Sequence, residues 1–349
     1  VTTKIAFIGF GGVGQALAKL FIQQQEDLKK KYDLDPVVVA VSDVMKGSIY
    51  HPDGLNMEQV LDVLEETGNL ENYSQEGLTT GWNSIETIKH SNADMIVEVT
   101  FTDVKTGQPA IDHCRTAFEN NKSVVTTNKG PVALAYNELA SLAKEKGVFW
   151  GFEGTVMSGT PALRMPVTTL AGNDIKEIKG ILNGTTNYIL TEMEKGQTYQ
   201  AALEKAQALG YAEADPTSDV EGYDARYKAA ILSNYLMDTP IAAEDIYCKG
   251  IRDMTVDMVK DALAENKKWR LLARITKTNG IVEASVKPEL LDADDPLAGV
   301  SGATNAILYE CDMSGPIMLT GAGAGLIETG YSLLIDIITF RRQHALTKS

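Results

Sequence analysis

The tightest constraint on what this chain can fold into lies near its start, where KIAFIGFGGVGQALAKLFI joins an apolar run to a helical one through a glycine-rich turn. Residues 4–8 read as a buried strand. Val13, Leu17, Leu20, Phe21 and Leu28 recur on one face of a helix over 12–30. Between them Gly9, Gly11 and Gly14 satisfy GxGxxG. In that pattern Gly9 makes the tight turn, Gly11 lets the main chain approach a pyrophosphate, and Gly14 lets the helix pack closely on the strand. The helix N-terminus then faces the negative charge. At a first strand–helix junction the pattern assigns a dinucleotide to the loop Gly9, Phe10, Gly11, Gly12, Val13 and Gly14; a purely structural glycine turn is the plainer alternative.

The segments that follow keep the same rhythm. Apolar runs at 36–42, 93–100, 122–128 and 148–154 alternate with helical patterns at 57–66, 108–121 and 136–147. Continuous apolar strands between helices predict a parallel sheet covered on both faces. Residues 1–150 therefore read as a Rossmann-like, doubly wound α/β domain. The second strand ends at Asp43, where an acid accepts hydrogen bonds from ribose hydroxyls and repels a 2′-phosphate. NAD is the expected cofactor, with NADP left open by nearby Lys46. Ligands of such sheets bind beyond the carboxyl ends of the strands. Thr100 and Lys129, in EVTFTDVKTG and TTNKGP, are therefore site candidates, with an ordinary loop lysine as the plainer reading of Lys129.

After residue 150 the pattern changes. Residues 174–194 read as strand, glycine turn and helix, and helices follow at 198–210 and 225–237. Two strands across 269–291 meet at Asn279-Gly280, a strong hairpin signal. This predicts an α+β catalytic and dimerisation domain over 151–318. The strand, glycine turn and helix at 315–338 predict a segment, 319–349, that returns to the nucleotide domain.

A net charge of −15 argues against nucleic acid or an anionic membrane as partner, since both demand basic patches. Cys114, Cys248 and Cys311 are distant and odd in number, so neither a disulfide framework nor a zinc site is implied. No apolar run reaches the roughly 20 residues needed to span a bilayer. A small-molecule substrate and a cytoplasmic location are expected.

The most unusual charge pattern is GYAEADPTSDVEGYDARYK, residues 210–228. Asp224 and Lys228 stand four apart on a helix, where such a pair is commonly a surface ion pair of about 0.3–0.5 kcal/mol. Here the helix continues AAIL, so the pair is expected to be buried and able to move a proton or bind a polar substrate. Glu213 and Asp219, just upstream, would bind a substrate ammonium by charge-assisted hydrogen bonds. Asp215 and Glu221 read as caps or solvated loop charges.

The segment 208–232 strongly resembles the signature of homoserine dehydrogenases. GFGGVG, SIYHPDGLN, TTNKGP, EGTVMSGTP, ILNGTTNYIL and GAGAGLIET extend the resemblance over nearly the whole chain. It is to the short form, without aspartate kinase or ACT domains. It implies hydride transfer between NAD(P) and C4 of homoserine, interconverting it with aspartate 4-semialdehyde in threonine and methionine biosynthesis. By this resemblance Lys228 is the proton donor and acceptor, with Asp224 beside it and Lys129 as a second lysine between cofactor and substrate. Glu213 binds the substrate amine with Asp219 as partner, and Thr185 lines the pocket. Gly210 and Gly323 lie near the cofactor. A monovalent cation such as Na would sit on the main-chain carbonyls of Glu153, Val156, Ser158 and Thr160. A homodimer is implied, with contacts in 155–172 and 281–320.

Two other readings compete. A semialdehyde dehydrogenase that acts through a cysteine needs a thiol with a paired base, and none of the three cysteines has one in sequence. A non-catalytic nucleotide sensor would keep GFGGVG but need not keep Asp224 with Lys228.

Overall fold

A computed structural model of the chain describes residues 1–101, 103 and 105–346, with 344–346 described in backbone only. Thr102 and Val104 of the EVTFTDVKTG segment, and the last three residues of 319–349, lie outside the described residues. The chain divides into two compact units, Val1–Thr155 with Gly325–Ser349, and Val156–Ala324.

The first unit opens with β1 (Thr2–Ile8), α1 (Gly12–Tyr32), β2 (Asp35–Asp43), β3 (Gly47–Tyr50) and α2 (Met57–Thr67). It continues through β4 (Thr79–Thr80), α3 (Ser84–His90), β5 (Met95–Glu98), α4 (Ala110–Glu119), β6 (Ser123–Thr126), α5 (Lys129–Leu134), α6 (Tyr136–Lys146) and β7 (Trp150–Gly151). The sheet order is β4-β3-β2-β1-β5-β6-β7. From β2 to β7 every pairing is parallel.

Alternation along β1 explains the continuous apolar runs. Ile5 and Phe7 join one core with Leu17 and Phe21 of α1. Ala6 and Ile8 point to the other face and join Ile88, Cys114, Phe118 and Leu139. Both faces are dry, as a parallel sheet requires. One edge departs from the predicted pattern. After Asp43 the chain reverses, and β3 and β4 add antiparallel strands. The reversal is driven by the Asp43 carboxylate, which accepts the N–H groups of Met45 (2.9 Å) and Lys46 (3.1 Å).

The second unit contains α7 (Arg164–Thr169), β8 (Ile175–Ile181), α8 (Gly184–Glu194), α9 (Tyr199–Ala208), α10 (Thr217–Val220), α11 (Tyr223–Leu236) and β9 (Tyr247–Cys248). It ends with α12 (Val256–Ala264), β10 (Lys267–Thr278), β11 (Ile281–Asp292), β12 (Thr304–Cys311) and β13 (Gly315–Ala322). These strands form a sheet in the order β13-β12-β8-β10-β11-β9. The β10–β11 hairpin turns at Asn279 (φ 52°) and Gly280 (φ 80°), the two left-handed positions that an Asn-Gly turn supplies. β13 stays in this sheet to Ala322, so the chain re-enters the first unit only with α13 (Leu326–Leu346).

There α13 lies against α1. A Cβ on Gly330 would stand 3.1 Å from Ala16 Cβ and from Leu17 N, so glycine sets this close approach. Leu333, Leu334, Ile337 and Ile338 complete the core on that side of the sheet. Asp336, the acid that interrupts this apolar helix, is buried and accepts Glu153 N–H at 3.0 Å.

The glycine turn is equally constrained. Gly9 has φ +87°, and a Cβ there would come within 2.7 Å of Val99 C and O and 2.8 Å of Thr100 N. Gly9→Ala is therefore expected to cost at least about 2 kcal/mol, since the left-handed conformation alone costs about 1–2. The checks are urea unfolding and nucleotide titration; wild-type stability with wild-type affinity would contradict this account of the turn.

Candidate active site

In the nucleotide unit, the loop after β1 is held by main chain. Gly9 N–H donates to Ser42 O at 2.8 Å, and Val99 N–H to Ile8 O at 2.8 Å. Around Gly11 no atom lies within 4 Å of where a Cβ would stand, and α1 opens without a side-chain cap. Open space beside uncapped helical N–H groups fits a nucleotide phosphate. Gly12 faces Leu326 of α13, and Gly14 packs against Gly9 O and Phe10.

Asp43 does more than the sequence reading assigned to it. Its Oδ2 accepts Phe10 N–H at 2.8 Å, inside the glycine loop. Burial disfavours its charge, but the N–H groups of Phe10 and Met45, Lys46 and its N–H outweigh burial and hold the carboxyl below its ordinary value. Lys46 Nζ stands 3.5 Å away. One carboxylate thus builds both the loop and the turn that follows β2.

At the ends of β5 and β6 a second acid organises Thr100 and the segment leading into Lys129. Glu98 is fully buried. It accepts Thr100 Oγ1–H and Asn128 Nδ2–H, the latter at 2.5 Å, and faces His113 Nδ1 at 3.1 Å. His113 Nε2 lies 2.9 Å from Ser84 Oγ. Asn128 also donates to Thr100 O at 2.8 Å and stands immediately before Lys129, which opens α5 half-buried. The sequence signal for Glu98 was a lone charge at the end of the apolar run MIVE.

In the second unit, burial on α11 decides the character of the charge pair. Ala225, Ala229, Ala230, Ile231 and Leu232 are buried with Lys228, which is 6% exposed. Its ammonium therefore finds most of its partners inside the protein. Lys228 Nζ donates to Asp224 Oδ2 at 2.6 Å and to Leu182 O at 2.7 Å. Asp224 Oδ2 also accepts Asn183 Nδ2–H at 3.1 Å, and Asp219 Oδ1 accepts the same nitrogen at 2.7 Å. Burial is the main force raising the Asp219 pKa, and the nearby Asp224 charge adds to it against the Asn183 bond. Thr185 is buried; its hydroxyl donates to Tyr211 O and lies beside Asp219.

The structure thus brings together Asp219, Asp224, Lys228 and Thr185. It adds two groups that sequence reasoning missed, Asn183 and the Leu182 carbonyl. Glu213 stands apart from this hydrogen-bonded group. Its carboxylate is exposed and, among the described residues, makes no hydrogen bond or ion pair. It borders an open cavity of about 640 Å³ lined by Gln207, Gly210, Ala212, Glu213 and Ala214. Gly210 has φ +75° and open space beside its Cα. Gly323 has a packing reason to be glycine, since a Cβ would stand 2.2 Å from the Asn305 amide nitrogen.

In the segment proposed for a cation, Glu153, Val156 and Ser158 are buried and Thr160 is half-buried. Met157 and Ser158 are consecutive non-glycine residues with positive φ, 58° and 52°.

Comparison with known proteins places the whole chain. A family model for homoserine dehydrogenase matches residues 161–338, and one for the homoserine dehydrogenase NAD-binding domain matches 9–153. The NAD(+)-dependent homoserine dehydrogenase of Pseudomonas canavaninivorans is 42% identical over 98% of this chain and 99% of its own. The chain belongs to the homoserine dehydrogenase family. The homoserine dehydrogenase of Methanocaldococcus jannaschii is 41% identical over 96% of this chain and 97% of its own. Among solved structures, the homoserine dehydrogenase of Thiobacillus denitrificans superposes with a TM-score of 0.85 at 31% identity, covering 99% of this chain and 74% of that one. A hyperthermophilic archaeal homoserine dehydrogenase in complex with NADPH gives 0.83 at 31% identity, covering 98% of each. NAD(P) binding thus stands with the first unit of this family member, and the resemblance read from the sequence holds.

Two outcomes follow from the two acids. Asp43→Ala removes an anchor of the glycine loop, so titration calorimetry should show NAD and NADP affinities falling together. A gain in NADP affinity would show that Asp43 acts only as a charge reader. For Asp219, a raised carboxyl pKa means the folded state holds a proton that the unfolded chain has released, so stability is lost as pH rises from 3.8 through the raised value. Asp219→Asn lacks this loss and should become progressively more stable than wild type across that window in pH-dependent unfolding. A pH-independent difference would refute the assignment.

Proposed function

We propose that the protein interconverts L-homoserine and L-aspartate 4-semialdehyde with a nicotinamide cofactor, the homoserine dehydrogenase reaction of threonine and methionine biosynthesis. The observation that carries this is the pairing of buried Lys228 with half-buried Asp224 in a member of that family. When bound, the nicotinamide accepts a hydride from C4 of homoserine or returns one to the aldehyde.

The chain's own residues handle the proton and the substrate's charge. Oxidation of the alcohol releases the hydroxyl proton, and Lys228 takes it as the neutral amine, whose two N–H bonds go to Asp224 and the Leu182 carbonyl; in reduction the resulting ammonium returns it. Asp224 and the Leu182 carbonyl fix the position of Nζ. Asp219 and Glu213 bind the substrate ammonium, and Thr185 supports the Asp219 side. Lys129 serves as the second lysine, set by Asn128 at the start of α5. Gly9, Phe10, Gly11, Gly12, Val13 and Gly14 hold the pyrophosphate, Asp43 the ribose, with Thr100, Gly210 and Gly323 along the cofactor. Asp43 supports NAD, and Lys46 beside it keeps NADP as the second choice. The main-chain carbonyls of Glu153, Val156, Ser158 and Thr160 hold a monovalent cation such as Na. The chain works as a homodimer in the cytoplasm, with no nucleic acid or membrane partner. No helix among the described residues is long and apolar enough to cross a membrane.

The direct test is homoserine-dependent formation of NADH, with NADP in parallel. Lys228→Ala should lower kcat by about 10²–10⁴, the usual worth of a positioned general acid–base. Cofactor affinity should stay near normal, and a melting curve should show a folded protein. Near-normal turnover in a folded Lys228→Ala variant would sink the assignment.

A further inference from the structure

We propose that Asn183 is a positioning residue of this site. Its amide bridges the Asp219 and Asp224 carboxylates and holds both in place beside Lys228. The inference rests on the dehydrogenase reading above and adds to it a residue that sits between the acids.

The amide's orientation follows from its partners. Asn183 is the N-cap of α8, and its Oδ1 accepts the backbone N–H of Thr186 at 2.9 Å. A backbone N–H can only donate, so the atom facing it is the oxygen. The nitrogen therefore points the other way, to Asp219 Oδ1 at 2.7 Å and Asp224 Oδ2 at 3.1 Å. A primary amide carries two N–H bonds, one for each acid. Asn183 is 6% exposed, so its amide is held mainly by these protein partners. Gly184, next along, cannot be larger, because a Cβ there would stand 2.7 Å from Ala303 O. The turn is thus locked, and with it the direction of the amide.

The chemistry needs this bridge. Asp219 and Asp224 are both half-buried, and two carboxylates close together there tend to share one proton, because their charges oppose each other. A protonated acid would hold a substrate ammonium poorly and would leave the Lys228 ammonium less well balanced. An N–H donor on each carboxylate favours its charged form over the shared proton. Asn183 also ties the start of α8 to α10 and α11, so the carboxylates and the Leu182 carbonyl that grips Lys228 share one anchor.

Asn183→Asp separates this role from capping. Aspartate caps a helix as well as asparagine does, so α8 keeps its N-cap. Its second oxygen, however, faces Asp219 and Asp224 as a third acid. Steady-state kinetics with homoserine across pH, wild type alongside, should show the acid limb of kcat/KM moving up by at least about one pH unit. The KM for homoserine should rise about tenfold near neutral pH, one added decade for a lost charge-assisted contact of roughly 1.4 kcal/mol. NAD affinity should be unchanged. Unfolding across pH gives a readout that needs no turnover. The stability deficit of Asn183→Asp should grow as pH rises, because the crowded acids bind a proton that the unfolded chain has released. Asn183→Ser, which caps but carries no N–H to bridge, should shift the acid limb in the same direction and serves if the aspartate variant does not fold. A kinetic pH profile and a pH–stability difference that both match wild type would overturn the role of Asn183. Absence of homoserine turnover in the wild type would overturn the functional reading instead, while the pH–stability difference still decides whether the bridge exists.

Discussion

A lysine charge buried on an apolar helix is the constraint around which the second unit is arranged. Lys228 is buried on α11, as are the alanines and aliphatic residues that follow it, and its Nζ finds its partners inside the protein. Removing one partner of such a pair leaves an uncompensated charge that costs about 3–5 kcal/mol. This explains why Leu182, just after β8, aims its carbonyl at Nζ, and why Asp224 sits one turn before Lys228 on α11. It also explains why the NGTT turn enters the same group. Asn183 caps α8 with one side of its amide and reaches the acids with the other.

The nucleotide unit solves a related problem with acids. Asp43 and Glu98 end neighbouring regions of the parallel sheet, and each carboxylate accepts donors from the loops it must hold still. A carboxylate with several N–H and O–H partners is both stable in its charge and stiff in its position. The loops that meet a ligand are thereby fixed by the ends of strands rather than by packing of their own. That is how a glycine loop with little side-chain mass can keep one conformation, and why Asp43 cannot be treated as an isolated specificity switch.

Local features were legible in the sequence. GFGGVG, the Asn279-Gly280 turn and the Asp224–Lys228 spacing each depend on residues a few positions apart, and each appears in the structure where the pattern put it. The acids were harder. Their types pointed to a cation site, but nothing in the order of residues 210–228 separates Asp219, half-buried and hydrogen-bonded to Asn183, from Glu213, which stays exposed. What was missed depends on pairings across the fold. Asn183 meets Asp224 across 41 residues, and Lys228 meets Leu182 across 46. The edge strands β3 and β4 were hidden for a different reason. They are short, and the carboxylate that turns the chain into β3 had been read only as a ligand contact.

A carbonyl partner is invisible in a sequence for a further reason with mechanistic weight. Leu182 contributes its main chain, so its side chain can change without altering the grip on Lys228. The same holds for the Phe10 and Met45 N–H groups on Asp43. Such contacts are set by φ and ψ, hence by the glycines and caps that fix the turns. Gly184 beside Ala303 O, and Gly9 beside Val99 and Thr100, are the positions where that control is strictest. The charged side chains supply the chemistry, and the small residues beside them supply its precision. A substitution at Gly184 would therefore act on Lys228 through Asn183 and Leu182, without touching a titratable group.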